Sequence, residues 1–169
     1  MGNATIEVVL MAPREPQPIG WPVAIDITVI NRSTADIWLP GVLDGSEAGI
    51  RYPFYLPEIT REGTVVARPE PPEDPLFTPL RTLDFRRLTP GEDFNPTSGK
   101  YHPLTTFSSY APDRPGHYRY TLTLSTESPL PENWLSSFGQ EDTLTEVMKL
   151  ISLVPRLTVR SAPLDVTVG

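Results

Sequence analysis

Hydrophobic and polar positions alternate with period two along most of this chain. Between Trp21 and Asn31, Val23, Ile25, Ile27 and Val29 alternate with Ala24, Asp26, Thr28 and Ile30, which predicts a β-branched strand with one buried face. The stretch from His117 to Leu124 repeats the pattern, with Tyr118, Tyr120, Leu122 and Leu124 on one parity and Arg119, Thr121 and Thr123 on the other. A one-residue slip would turn either set into solvent, so both sets are expected to face one core. Near the start Ile6, Val8 and Leu10 alternate, and near the end Leu157 and Val159, then Leu164, Val166 and Val168. Ser161-Ala-Pro163 interrupts the last run and predicts a bulge or a switch between sheets.

Ile50, Tyr52, Phe54 and Leu56 share one parity while Pro53 and Pro57 share the other, as in an edge strand whose missing donors face solvent. On that parity Tyr55 points outward. Shorter strand candidates are 37–39, 64–67, 83–88 and 104–110. Turn chemistry separates the runs: Asn31-Arg-Ser33, Pro40-Gly41, Glu62-Gly63, Thr89-Pro-Gly-Glu92 and Arg114-Pro-Gly116. Short strands joined by such turns, without alternating helical crossovers, predict an all-β domain and exclude a parallel α/β sheet.

Composition supports few helices. The 21 prolines among 169 residues are spread along the chain, and each removes a backbone donor and breaks a helix interior. The run from Pro69 to Pro79 predicts an extended surface crossing. Residues 125–155 read as an inserted excursion carrying the one credible helix. Thr143 and Glu146 make a capping-box pattern, Leu144, Val147, Met148 and Ile151 share a face, and Pro155 ends it. The whole chain, 1–169, is expected to form a single domain.

Charge and cysteine content narrow the partners. The net charge is −7, and the 14 Lys and Arg nowhere form a basic run, which speaks against nucleic acid. With no cysteine there is no disulfide and no thiol chemistry. The first residues lack a basic segment and an apolar run of leader length, and no segment approaches a membrane span. The expectation is a cytoplasmic chain without membrane contact.

Three stretches together, 20–33, Leu88-Thr-Pro-Gly-Glu92 and Arg114-Pro-Gly-His-Tyr118, resemble bacterial immunoglobulin-like or fibronectin-III-like modules. In these, one strand ends at an Asn-x-Ser turn and a Pro-Gly-x-Tyr turn leads into a late core strand. The closing stretch 159–168 resembles their last strand. Asp113, Gly116 and Tyr118 resemble a tyrosine corner at a spacing one residue longer, without the disulfide cysteines. The resemblance implies a two-sheet antiparallel immunoglobulin-like sandwich. The same turns more faintly resemble the bacterial intracellular proteinase-inhibitor family.

Candidate chemistry is sparse. His102 and His117 have no second strong ligand at i+2 or i+4, so no metal site is expected. No Gly-x-Ser-x-Gly elbow and no phosphate-cradling Lys-Ser/Thr occurs. Glu70, Glu73 and Asp74 lie in the proline-rich crossing, and Glu141 and Asp142 at a helix start where acids meet the dipole. No catalytic residue and no cofactor is expected. Aromatic residues remain: Trp21 and Trp38 are assigned to the core. Tyr55 and Trp134, with Leu135 and Phe138, are the candidate partner-binding residues. The reading is a non-catalytic module acting by protein–protein contact. A proteinase inhibitor and a carbohydrate-binding module stacking sugars on Tyr55 or Trp134 are the alternatives.

Overall fold

The computed structural model describes residues 5–71, 77–98, 104–136, 139–140 and 144–169. Ten strands follow in order: β1 (Ile6–Met11), β2 (Asp26–Asn31), β3 (Ile37–Pro40), β4 (Phe54–Arg61), β5 (Thr64–Ala67), β6 (Phe85–Leu88), β7 (Asp93–Phe94), β8 (Gly116–Ser125), β9 (Thr158–Arg160) and β10 (Leu164–Val168). Among the described residues two short α-helices join them, α1 (Thr105–Ser109) and α2 (Leu144–Ser152). The protein is therefore mostly β, with every sheet antiparallel. One sheet runs β1-β2-β7, a second runs β10-β8-β4-β5 with β9 also on β8, and β3 pairs with β6.

Buried side chains from all three sheets join one cluster, and β1 approaches β8 and β9 across it. Val23, Ile27, Val29, Tyr118, Tyr120, Leu122 and Leu124 are buried as their alternation predicts, and Ile25 is partly buried against them. The strand of Ile27 starts five residues later than expected. Before it, Gln17 N–H donates to Thr167 O (2.8 Å) and Gly20 N–H to Pro112 O (2.7 Å). The β1–β2 connection thus crosses to β10 before turning back.

Local chemistry accounts for the turns. Arg61 pairs with Thr64 across Glu62-Gly63, whose φ values of 48° and 83° are both positive. This is the type I′ geometry that matches strand twist. Pro90 and Gly91, the latter at φ 82°, fill the two middle places of a turn closed by Glu92 N–H to Thr89 O at 2.9 Å. The interruption at Ser161 is a bulge: Arg160 faces Thr123 while Leu164 faces Tyr120, so one extra residue separates β9 from β10 on the same partner. Ser161 fills it by donating N–H to Leu122 O (2.9 Å) and accepting Leu122 N–H on Oγ (3.0 Å).

Two expectations are corrected. Residues 104–110 are not a strand. Leu104 and Phe107 are buried three residues apart, and Glu47 caps α1 by accepting Thr105 N–H (2.9 Å) and Thr106 N–H (2.7 Å). β4 is not an edge strand either, because it lies between β8 and β5. Its parity is inverted: Pro53, Tyr55, Pro57 and Ile59 are buried, whereas Tyr52, Phe54 and Leu56 are only half-buried. Proline is tolerated there because β5 pairs only with Ile59 to Arg61, leaving that flank of Pro57 without a strand to bond.

Candidate functional site

The inverted parity removes Tyr55 from the surface. Its ring is fully buried and its hydroxyl donates to Pro40 O at 2.8 Å. Trp134 is fully buried too. Its Nε1–H donates to Ser128 O (3.1 Å), the Arg156 guanidinium lies 5.0 Å above its ring, and Tyr52 packs 5.8 Å away. Leu135 is partly buried against the core, and Phe138 lies outside the described residues. The exposed patch expected at Trp134 and Leu135 is thus corrected to a structural contact, and neither Tyr55 nor Trp134 offers a stacking face.

Polar side chains fix the 125–155 excursion to the sheets. Thr126 N–H donates to Leu157 O (2.8 Å), its hydroxyl donates to Pro155 O, and Leu157 N–H donates back to Thr126 Oγ1 (3.0 Å). The Gln140 amide donates to Leu80 O (2.7 Å) and accepts Leu80 N–H (2.8 Å). Arg51, 1% exposed, donates to Trp134 O (3.0 Å) and Thr78 O (3.0 Å). Such buried cations persist where acceptors replace their hydration. On α2, Val147 and Ile151 are buried while Leu144 and Met148 stay 37% and 41% exposed; the residue expected to cap it, Thr143, lies outside the described residues.

Trp21, assigned to the core from sequence, is 69% exposed. The cause is the crossing to β10, which carries residues 17–20 off the sheet before Pro22. On the same connection Ile19 is 44% exposed, and Met11, the residue that leads into it, is 59% exposed. The residues that follow, Pro22, Val23 and Ile25, line a hollow of about 280 Å³ with Leu104 and Phe107. Between Met11 and Trp21 the chain thus turns three large apolar side chains to solvent. Iodide quenching is expected to act mainly on Trp21: Trp21→Phe should leave blue-shifted, poorly quenched emission from Trp134 and half-buried Trp38. Equal quenching before and after that substitution would contradict the burial pattern.

His117 is exposed on β8 opposite Thr167, and His102, Glu73, Asp74, Glu141 and Asp142 lie outside the described residues. Among the described residues no three His, Asp or Glu side chains converge as metal ligands do. No described helix is long and apolar enough to cross a membrane. The perturbed groups are three tyrosines and one arginine: burial pushes Tyr55 and Tyr120 well above the ordinary phenol value and Tyr110 up to about 12, and it lowers the Arg156 guanidinium. A raised phenol pKa means that the native state holds its proton after the unfolded chain has lost it. The stabilisation is full below about pH 10 and is lost as pH rises beyond that. Alkaline titration at 295 nm should therefore show Tyr55, Tyr110 and Tyr120 ionising late, with unfolding setting in above about pH 10. Ionisation of these three near pH 10 without unfolding would contradict it.

No family model matches this chain, and no curated protein matches it.

Proposed function

We propose that the chain is an immunoglobulin-like module of the fibronectin-III type that acts by protein–protein contact rather than by chemistry. The observation that carries this reading is the division of strands. β1, β2 and β7 share one sheet, and β10, β8, β4 and β5 share the other. This division is similar to the first, second and fifth strands against the third, sixth and seventh in such sandwiches, with β5 read as an added edge strand and β3–β6 as an added pair. Tyr118 supports it: its hydroxyl donates to Arg114 O (2.8 Å), four residues upstream, as a tyrosine corner does.

The contact surface in this reading is the β1–β2 connection, with Trp21 as anchor. The test uses the purified chain as bait, wild type against Trp21→Ala, with melting temperature measured on both. A partner bound saturably by wild type and about tenfold or more weaker with the variant, at unchanged melting temperature, supports the surface. Partner recovery that ignores Trp21→Ala overturns it.

A further inference from the structure

On the outer face of the larger sheet, β4, β8, β9 and the chain just after β5 line a hollow of about 330 Å³. The register explains which side chains reach it. Leu56 faces Thr123, Glu58 faces Thr121, and Thr123 faces Arg160, all on the parity opposite the buried Ile59, Tyr120 and Leu122.

Four charged residues border the hollow, and three are already engaged. The Glu47 carboxylate caps α1, accepting Thr105 N–H, the Thr105 hydroxyl (2.8 Å) and Thr106 N–H. Glu58 and Arg68 pair with each other at 2.7 Å. Among the described residues the Arg160 side chain meets no carboxylate and makes one hydrogen bond, a long one of 3.4 Å to Thr121 Oγ1. That threonine is itself only 4% exposed. A guanidinium fork is thus presented to a hollow with a hydroxyl at its base and Leu56 on its wall.

We propose that this hollow binds a ligand carrying a single carboxylate and an apolar group. The Arg160 fork matches a carboxylate with two parallel N–H···O bonds. The Thr121 hydroxyl is placed to donate a third, and the apolar group lies on Leu56. The overall charge of −7 disfavours polyanions, and the volume is at the lower end of small-ligand sites. The carboxylate belongs either to a free small acid or to the C-terminus of a peptide. The site shares no residue with the Trp21 connection and requires no partner protein.

The test is a titration of the full chain with hexanoate and with acetyl-Ala-Leu bearing a free carboxylate, against hexanamide and the peptide amide. It is followed by amide and arginine Nε shifts in ¹H–¹⁵N NMR. Saturable shifts centred on Thr121, Thr123 and Arg160 are expected from the acids and none from the amides. Arg160→Gln should weaken binding about tenfold or more. Thr121→Val should weaken it less, and Arg119→Gln, whose native side chain is held by Asp165 at 2.9 Å, should leave it unchanged. Hexanoate binding as tightly as the peptide assigns a free acid, whereas a peptide about tenfold tighter assigns a chain terminus. Amides binding as well as acids, no shifts from either acid, or unchanged affinity in Arg160→Gln overturn the proposal.

Discussion

Replacing Trp134 with alanine is expected to lower stability by about 3–5 kcal/mol, the range for losing a large buried aromatic side chain. The ring is fully buried, and the residue is bound at three points: Nε1–H to Ser128 O, the main-chain carbonyl to Arg51, and the ring face to Arg156. Alanine retains only the carbonyl. It leaves Ser128 O without its donor and opens a cavity that the tie between Thr126 and Leu157 prevents from collapsing freely. Urea denaturation should show an earlier midpoint at similar slope. Trp134→Phe should fall between, since it keeps much of the volume and loses the donor. An unchanged midpoint in the alanine variant would mean that the excursion does not close the core. Carboxylate binding at the Arg160 hollow, a separate part of the surface, should survive in the folded fraction of either variant.

How far the fold can be read from sequence depends on whether burial is decided locally. In β1 and β8 period two suffices to place the strands and in β2 all but its start, and in all three the alternating residues are those the core covers. β4 defeats this reading because both of its faces carry apolar side chains. Leu56 on the outer face is screened by the 44–50 loop, where an added Cβ at Gly49 would meet its Cδ2 at 3.4 Å. Hydropathy alone then favours the wrong parity, since Pro53 and Pro57 look like solvent-side residues. α1 depends on Glu47, nearly sixty residues away, and no local pattern announces that cap. A usable signal existed in the three-residue spacing of Leu104 and Phe107.

The sequence pattern expects the exposed aromatic residue at Tyr55 or Trp134, whereas the fold leaves Trp21 outside and places Trp134 inside. Both reversals follow from long-range hydrogen bonds. Gln17 and Gly20 hold the first segment against β10 and Pro112, whereas Arg51, Gln140 and Thr126 draw the second segment inward. Arg160 was invisible as a site residue because its significance lies in what its neighbours have already bonded. Glu47, Glu58 and Arg68 are engaged, and only their geometry reveals that Arg160 is left over.

Asn31→Ala is expected to cost about 2–4 kcal/mol, because it strips several buried groups of their partners at once. Asn31 is fully buried at the end of β2 and uses its whole hydrogen-bonding capacity. Its Nδ2 donates to Ala35 O and Leu88 O, both at 2.9 Å, while Oδ1 accepts Ser33 N–H (2.9 Å) and the Ser33 hydroxyl (2.7 Å). Its main chain pairs with the Pro-Gly turn, accepting Gly91 N–H (2.8 Å) and donating to Glu92 O (2.9 Å). The Asn-x-Ser and Pro-Gly-Glu stretches of the sequence are therefore one polar joint between β2, β3 and β6. Asn31→Asp separates hydrogen bonding from volume. It keeps the shape, but an ionised carboxylate turns acceptors toward Ala35 O and Leu88 O and is buried without a cation. Burial and the two carbonyls raise that introduced carboxyl above its unfolded value. The native state then binds a proton that the unfolded chain has released, so the variant loses stability as pH rises through the aspartate range and regains part of it on acidification. Urea midpoints at neutral pH and near pH 4, compared with wild type and Asn31→Ala, decide the matter: Asp should be the worse variant at neutral pH and should narrow its gap to Ala in acid. An Asn31→Asp protein as stable as wild type at neutral pH would remove this joint from the account of the fold.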